Sequence, residues 1–147
     1  MWVYSIYGSL LTRLANKLIK MGGNMTQQKI LITGSQGFVG SYLCAELLEH
    51  GYHVIGIDNY SKYGKVIRAH DNHPNFTLLE HDVKDIMAIL DDVKDVDFIV
   101  QMAAMIGGIS YFHKHAYDLM AENERILASI FDLAIDLFQN HNLKRII

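Results

Sequence analysis

The sequence contains very little proline and cysteine, and it has no long apolar run. One proline among 147 residues argues against a disordered linker. The only cysteine, Cys44, has no partner for an internal disulfide. No apolar stretch reaches the roughly 20 residues that cross a membrane. These absences predict a protein of a reducing compartment such as the cytoplasm, without a membrane span.

The charge and the histidines exclude further classes of protein. The net charge is −3, and aromatic and basic residues are not interleaved as they are on nucleic-acid-binding surfaces. His70 lies near His73, and His113 lies near His115, but neither pair has the cysteine or acid pattern of a closed metal site. We therefore predict neither a nucleic-acid partner nor a metal ion.

The first 24 residues differ in pattern from the rest. Four leucines fall on one helical face and three basic residues on the other: Leu10, Leu11, Leu14, Leu18, Arg13, Lys17 and Lys20. A basic amphipathic helix can lie on a membrane surface, but this basic face is short and has no second membrane signal beside it. We therefore predict that residues 1–24 are an extension outside the fold, and that residues 25–147 form the single domain.

The most informative stretch runs from Lys29 to Asp58. An apolar run is followed by the glycine-rich turn Thr33-Gly34-Ser35-Gln36-Gly37-Phe38-Val39-Gly40, an amphipathic segment from Ser41 to His50, and a second apolar run that ends at Asp58. This order predicts a strand, a glycine turn, a helix, a second strand and an acid. Such an arrangement is typical of dinucleotide-binding sites.

Each part of this stretch has a physical task. Gly34 allows a tight turn, Gly37 allows a pyrophosphate to approach the backbone, and Gly40 allows the helix to pack on the strand. The N–H groups at the helix start favour the phosphate charge. Asp58 can accept hydrogen bonds from both ribose hydroxyls of an adenosine, whereas a 2′-phosphate would face its carboxylate. The pattern therefore predicts NAD, bound by residues 34–39 and Asp58.

The rest of the chain alternates strands and helices. We predict strands at Phe76–Glu80 and Asp97–Met102, a short helix at Ile86–Leu90, a long helix at about Ala116–Gln139 and the start of a fifth strand at Lys144–Ile147. The apolar residues predicted near one face of the long helix are Leu119, Ile126, Leu127, Ile130, Phe131, Ala134 and Phe138. This alternation predicts an α/β fold with a doubly wound parallel sheet. The turns that follow the strands should then meet at one edge of the sheet, where such folds bind their ligands.

These residues resemble the extended short-chain dehydrogenase/reductase superfamily, and within it the NAD-dependent nucleotide-sugar epimerases and dehydratases. The turn at Thr33–Gly40 matches the family's T-G-x-x-G-F-x-G pattern, and Asp58-Asn59 matches its ribose-binding acid and neighbour. The resemblance covers residues 29–147 and implies a Rossmann-type fold with NAD as cofactor. It also implies a nucleotide sugar as substrate of the intact enzyme.

The resemblance assigns further residues to the cofactor. Asp82-Val83 matches the pair that flanks the adenine, with the Asp82 carboxylate receiving the exocyclic amine. Gln101-Met102-Ala103-Ala104 stands where the family usually has H-x-A-A, so glutamine replaces a histidine while the small residues beside the cofactor are kept. Asn123 stands where the family has a helix asparagine near the nicotinamide.

Two more expectations follow from the resemblance. The loop Met105–Ser110 is similar to the glycine-rich substrate loop of GDP-mannose 3,5-epimerases, which implies that Gly107, Gly108 and Ile109 face the sugar nucleotide; a strand-to-helix loop without a ligand is the alternative. The long helix at 116–139 commonly forms half of a four-helix interface in this family. That implies a homodimer of the intact enzyme.

The catalytic residues of the family have no counterpart in this sequence. They are a Tyr-x-x-x-Lys pair and a Ser or Thr that follow the fifth strand, and no tyrosine here precedes a lysine by four residues. Tyr111 and Lys114 are three apart and precede the long helix. We therefore assign no catalytic residue, and we expect the chain to contain the NAD-binding portion of such an enzyme and to be inactive alone.

Two alternatives stay open at this point. The chain could be a short NAD-binding regulatory module without chemistry of its own. It could also belong to an NADP-dependent reductase, because Lys62, Lys65 and Arg68 follow Asp58 closely and could meet a 2′-phosphate. Asp58 itself argues against NADP.

Overall fold

The computed structural model describes residues 28–147, so the predicted extension at residues 1–24 lies outside the described part of the chain. The strands are β1 (Lys29–Thr33), β2 (His53–Asp58), β3 (Phe76–Glu80), β4 (Phe98–Val100) and β5 (Arg145–Ile146). The α-helices are α1 (Phe38–Glu49), α2 (Leu90–Val93), α3 (Ile109–Lys114) and α4 (Ala116–Asn140). A 3-10 helix at Val83–Ile89 precedes α2.

The five strands form one parallel sheet in the order β3-β2-β1-β4-β5. The central strand β1 pairs with β2 and β4, so Leu31 lies between Ile55 and Ile99. The order reverses direction at β1, which places a switch point between β1 and β4. The predicted doubly wound α/β fold is confirmed.

Both faces of the sheet are covered by helices. Ile30 and Ile32 point to the face that α1 covers and pack with Leu43 and Leu47. Leu31 points to the opposite face, where α4 and the 3-10 helix cover the sheet. A parallel strand buried on both faces needs apolar side chains at successive positions, which explains the unbroken run at the start of the domain.

Local hydrogen bonds explain two of the boundaries that differ from the predicted ones. Strand β4 ends at Val100 instead of Met102, because the N–H groups of Met102 and Ala103 both donate to the Thr33 hydroxyl at 3.0 Å. The helix predicted from Ile86 begins at Val83 as a 3-10 helix, because the Asp82 carboxylate accepts from the N–H of Lys84. Helix α3 was not predicted.

Helix α4 confirms the predicted long helix, but its core face is narrower than expected. The side chains that α4 buries are Leu119, Ile130, Leu133, Ala134 and Leu137. Leu127, Phe131 and Phe138 were predicted on the same face, and all three are exposed, with Phe138 at 74%. The helix has two neighbouring apolar stripes, and the sheet covers only one of them.

Candidate functional site

The structure brings the turns after β1, β2, β3 and β4 together at the carboxyl edge of the sheet. The N–H of Ser35 donates to the Ile57 carbonyl at 3.1 Å, which ties the first turn to β2. The N–H of His81 donates to the Asp58 carbonyl at 3.2 Å, which ties the end of β2 to the turn after β3. Thr33 connects the end of β1 to the turn after β4.

The glycine turn is packed so closely that side chains would not fit. Gly34 has a φ of +67°, and a Cβ there would lie 2.9 Å from the Ala103 nitrogen. A Cβ on Gly40 would lie 2.1 Å from the Gly34 carbonyl oxygen, so α1 presses directly on the turn. These two glycines let the helix start sit at the edge of the sheet.

The start of α1 is suited to an anion. Its N-cap residue is Gly37, no side chain caps the helix, and the first turn contains no acidic residue. The first N–H groups of a helix have no intrahelical partners, and the helix dipole adds partial positive charge there. A phosphate at this end would therefore meet backbone donors without competition from a capping side chain.

The Asp58 carboxylate is held in a fixed orientation beside that helix start. Its Oδ2 accepts from the Gln36 N–H at 2.9 Å, and its Oδ1 accepts from the Tyr60 N–H at 2.8 Å. Each carboxylate oxygen keeps a further lone pair for a ligand hydroxyl. Tyr60 has a φ of 56°, the one positive φ of a non-glycine residue in the part of the chain that the structure describes. Such backbone strain is common at ligand sites.

Asn59 and Asp82 lie next to each other at the neighbouring strand ends. The Asn59 amide donates to Asp82 Oδ2 at 3.0 Å, while Asp82 Oδ1 accepts from the Lys84 N–H at 2.9 Å. Lys84 Nζ lies 3.8 Å from the Asp82 carboxylate and 2.5 Å from that of Glu122. The Lys84 ammonium lowers the pKa of Glu122 below its ordinary value. Val83 is buried in the core cluster that also contains Ile57 and Ile86.

Gln101 folds back onto the turn after β4. Its side-chain oxygen accepts from the Thr33 hydroxyl, and its Nε2 donates to the Ala103 carbonyl at 2.7 Å. The glutamine therefore fixes the bend in which Met102 and Ala103 are half-buried and Ala104 is exposed. The sequence showed that Gln101 replaces the histidine of the family pattern. It did not show that the Thr33 hydroxyl is the hydrogen-bond partner that fixes the bend.

Asn123 holds the following loop to α4. Its Nδ2 donates to the Met105 carbonyl at 2.9 Å, and its Oδ1 accepts from the Met105 N–H at 2.8 Å. This two-point contact involves both the oxygen and the nitrogen of the side-chain amide, and each keeps capacity for a further hydrogen bond. Asn123 also borders a shallow apolar pocket with Phe112, Tyr117 and Met120.

The residues predicted to face a substrate lie at the start of α3. Gly108 is the N-cap of this helix, and Ile109 is its first residue, with 81% of its surface exposed. A Cβ on Gly107 would lie 2.5 Å from the Tyr111 ring. The Lys62 ammonium donates to the Ile106 carbonyl at 2.9 Å, so this loop also contacts the segment after Asp58.

The three cations that could have met a 2′-phosphate are engaged with protein oxygen atoms. Lys62 donates to Ile106, Lys65 pairs with Glu80 at 2.6 Å, and Arg68 donates to the Gln36 carbonyl. Sequence reasoning missed the contact of Arg68 with the glycine turn, because 32 residues separate the partners.

The described residues offer neither a reactive thiol nor a cluster of metal ligands. Burial raises the pKa of the Cys44 thiol, and the nearby Asp71 carboxylate raises it further, so this thiol is inert. Within residues 28–147 the structure shows no group of three or more histidine, cysteine or acidic side chains that could hold a metal ion. Within the same residues, no helix is both long enough and apolar enough to cross a membrane.

The fold and this edge of the sheet define a Rossmann-type nucleotide-binding domain. Residues 30–147 match the NAD dependent epimerase/dehydratase family, and the chain belongs to that family. The resemblance stated from the motifs is thereby confirmed, and NAD is the cofactor that the family description names.

Known proteins that are similar to this chain include nucleotide-sugar enzymes. A UDP-glucuronic acid decarboxylase of Arabidopsis thaliana is 32% identical over 94 residues, which are 63% of this chain and 20% of the relative. The solved structure of WbmH from Bordetella bronchiseptica, in complex with NAD+, is 29% identical with a TM-score of 0.60, and the match covers 76% of this chain and 36% of that one.

A third similar protein is the UDP-N-acetylglucosamine 4-epimerase of Methanobrevibacter ruminantium, solved with UDP-N-acetylmuramic acid. It is 26% identical with a TM-score of 0.64, and the match covers 83% of this chain and 37% of that one. The chain therefore spans between a fifth and little more than a third of the length of these three proteins.

Proposed function

We propose that this chain is the NAD-binding portion of a nucleotide-sugar epimerase or dehydratase. The observation that supports the proposal most is the Asp58 carboxylate, fixed by two backbone N–H groups beside the uncapped start of α1. A carboxylate that lies beside a helix start suits the ribose and the pyrophosphate of one dinucleotide.

The proposed roles of the cofactor residues follow from the strand that each of them follows at the carboxyl edge of the sheet. The turn Gly34-Ser35-Gln36-Gly37-Phe38-Val39 would hold the pyrophosphate, and Asp58 with Asn59 would hold the adenosine ribose. Asp82 and Val83 would border the adenine. Met102, Ala103, Ala104 and Asn123 would border the nicotinamide half, because they follow β4 on the other side of β1.

The proposed chemistry is transient oxidation of a sugar. Bound NAD would supply the hydride acceptor for a sugar carbon and would return the hydride after epimerisation or dehydration. The contribution of this chain is to bind and orient the dinucleotide. The exposed Gly107, Gly108 and Ile109 would contact the sugar nucleotide.

We further propose that the chain does not turn over a sugar nucleotide by itself. No Tyr-x-x-x-Lys spacing occurs in its 147 residues. Proton transfer at a sugar hydroxyl needs a group whose pKa is matched to that task. Burial raises the pKa of Tyr52 and of Tyr60, which makes these two tyrosines less suited to it.

We also propose that the intact enzyme is a homodimer through α4. The second apolar stripe of this helix is exposed along its whole length and consists of Tyr117, Met120, Leu127, Phe131, Ile135 and Phe138. An apolar surface of this extent favours a protein contact.

Calorimetric titration of the purified chain with NAD and with NADP tests the cofactor proposal. We expect saturable NAD binding that is at least about tenfold tighter than NADP binding, since the 2′-phosphate would face Asp58. Equal affinity for both would contradict the assigned role of Asp58. Detectable epimerase activity of the chain would contradict the proposal that it is inactive alone.

A further inference from the structure

A partly buried polar cluster joins the segment between β2 and β3 to the glycine turn. Gln36 is only 3% exposed, and three different partners hold it. Its N–H donates to Asp58 Oδ2 at 2.9 Å, its Nε2 donates to Asp71 Oδ1 at 3.0 Å, and its carbonyl accepts from Arg68 Nη2 at 2.5 Å. Gln36 is therefore fixed at its backbone nitrogen, its carbonyl and its side chain.

Arg68 and Asp71 also hold each other. The Arg68 N–H donates to Asp71 Oδ2 at 2.7 Å, and the Asp71 N–H donates to the Arg68 carbonyl at 3.1 Å. The two residues thus form a closed turn that presents a guanidinium and a carboxylate to the same glutamine. His70, between them, is buried against the Phe76 ring, which anchors this turn to β3.

Through these contacts Gln36 links the turn at Arg68–Asp71 to the Asp58 carboxylate. Hydrogen bonds in which one partner is charged are roughly twice as strong as neutral ones. Loss of either charged partner would leave a polar group of Gln36 unpaired in a buried place. The same residue donates to Asp58, so a shift of Gln36 would move the turn relative to the ribose-binding carboxylate.

We propose that Arg68 and Asp71 are positioning residues for dinucleotide binding. They act through Gln36, and they hold the glycine turn and the Asp58 carboxylate in one geometry. The inference rests on the proposed binding of NAD at this edge, and it gives a task to two residues that lie between β2 and β3.

The variant Asp71→Ala distinguishes positioning from simple electrostatics, because the two predict opposite changes in the affinity for NAD. Removal of a carboxylate near an anionic pyrophosphate should strengthen NAD binding if charge alone matters. Positioning predicts the opposite, a dissociation constant about tenfold higher, because Gln36 loses its side-chain acceptor. Unchanged or tighter binding by a folded Asp71→Ala protein would overturn the proposal.

Arg68→Met should also weaken NAD binding about tenfold, and Arg68→Lys should recover part of the loss, since an ammonium can donate to the Gln36 carbonyl. The matched control is Lys65→Met, which removes a cation of the same segment that contacts Glu80 and the Tyr60 ring. We expect the control to bind NAD within about twofold of the unmodified chain. An equal loss in both methionine variants would assign the effect to general charge and overturn the proposal.

A double-mutant cycle with Asp58→Asn tests the path through Gln36. In the Asp58→Asn background, Arg68→Met should weaken NAD binding only about twofold, because the carboxylate that it helps to place is gone. Additive losses would show that Arg68 acts independently of Asp58, contrary to the proposal.

Circular dichroism and urea denaturation of each variant would establish that it is folded before the titrations are compared. If Asp71→Ala does not fold, Gln36→Met removes the same hydrogen bond with little change in volume, and it should also weaken NAD binding several-fold. Absence of NAD binding by the unmodified chain would contradict the proposed function itself. Binding that depends on Asp58 but is unchanged in Arg68→Met and Asp71→Ala would contradict this inference alone.

Discussion

At the scale of single residues, we propose that Asp58 decides which dinucleotide this fold accepts. Its carboxylate is fixed on both oxygens by backbone N–H groups, so it cannot turn away from a 2′-phosphate without losing them. On this proposal, the preference for NAD over NADP is set at the end of β2.

Asp58→Ala should weaken NAD binding by about tenfold and narrow the preference for NAD over NADP, because the ribose loses its acceptor and the 2′-phosphate loses a repelling charge. Titration calorimetry with both dinucleotides measures both effects. Asp91→Ala is the control, since Asp91 pairs with Lys94 in α2. A variant that keeps the original preference would show that another group makes the choice.

Gly40 has a purely steric role in the same site. Alanine is normally the better helix former by about 1 kcal/mol. At Gly40 the added Cβ would lie 2.1 Å from a backbone oxygen, so we expect Gly40→Ala to cost about 3 kcal/mol of unfolding free energy in urea.

The matched control is Gly108→Ala, because no atom lies within 4 Å of a Cβ there. Loss of glycine at this N-cap should cost less than about 1 kcal/mol. Equal costs at both glycines would show that the packing of α1 on the turn is not what Gly40 provides.

His70 should make the stability of the domain sensitive to pH. Burial lowers the pKa of His70 below its ordinary value of about 6.5, although Asp71 opposes the shift, while Arg68 and His73 add to it. Below pH 6.5 the unfolded chain therefore binds a proton that the folded chain does not. Stability should fall as the pH drops from 6.5 toward the folded pKa, by at most about 1.4 kcal/mol per pH unit.

Urea denaturation between pH 5.5 and 7.5 measures this dependence, which His70→Gln should flatten. His113→Gln, at an exposed position of α3, should leave it unchanged. If His70→Gln keeps the full dependence, another group is responsible for it.

At the scale of elements, the sequence predicted the strands from their continuous apolar runs and the long helix from its helical period. It could not predict which apolar stripe of α4 faces the sheet, because Ile130 and Phe131 are equally apolar and adjacent in sequence. Only the crossing of α4 over the sheet buries Ile130 completely and leaves Phe131 48% exposed.

This difference in burial predicts that two neighbouring substitutions destabilise the domain by unequal amounts. Ile130→Ala should cost about 3 kcal/mol of unfolding free energy, because it opens a cavity under the sheet. Phe131→Ala should cost less than about 1 kcal/mol in dilute, monomeric protein. Urea denaturation at low protein concentration measures both, and similar costs would contradict the assignment of the two faces.

The exposed stripe of α4 also has a test of its own. Phe131→Glu places a charge in the stripe and should lower self-association in sedimentation velocity, since a buried unpaired charge is costly. Asp132→Lys, also a charge change on α4 but outside the stripe, should leave it unchanged. Association that is insensitive to Phe131→Glu would exclude α4 as the interface.

At the scale of the whole molecule, the sheet edge collects residues from distant parts of the chain. The motif at residues 33–58 could be recognised from sequence because its parts are close together and their order is informative. The contacts of Gln36 with Arg68 and Asp71, of Thr33 with Gln101, and of Lys84 with Glu122 could not, because they join segments that only the fold brings together.

We propose that NAD binds across the carboxyl ends of β1 to β4, with its adenosine half at Asp58 and Asp82. A two-dimensional amide NMR titration of the chain with NAD tests it most directly. We predict large saturable shifts at Gly34–Val39, Asp58–Asn59 and Asp82–Val83, and little change at the opposite edge around His141–Lys144. Binding that shifts other residues instead, or no binding at all, would contradict the account.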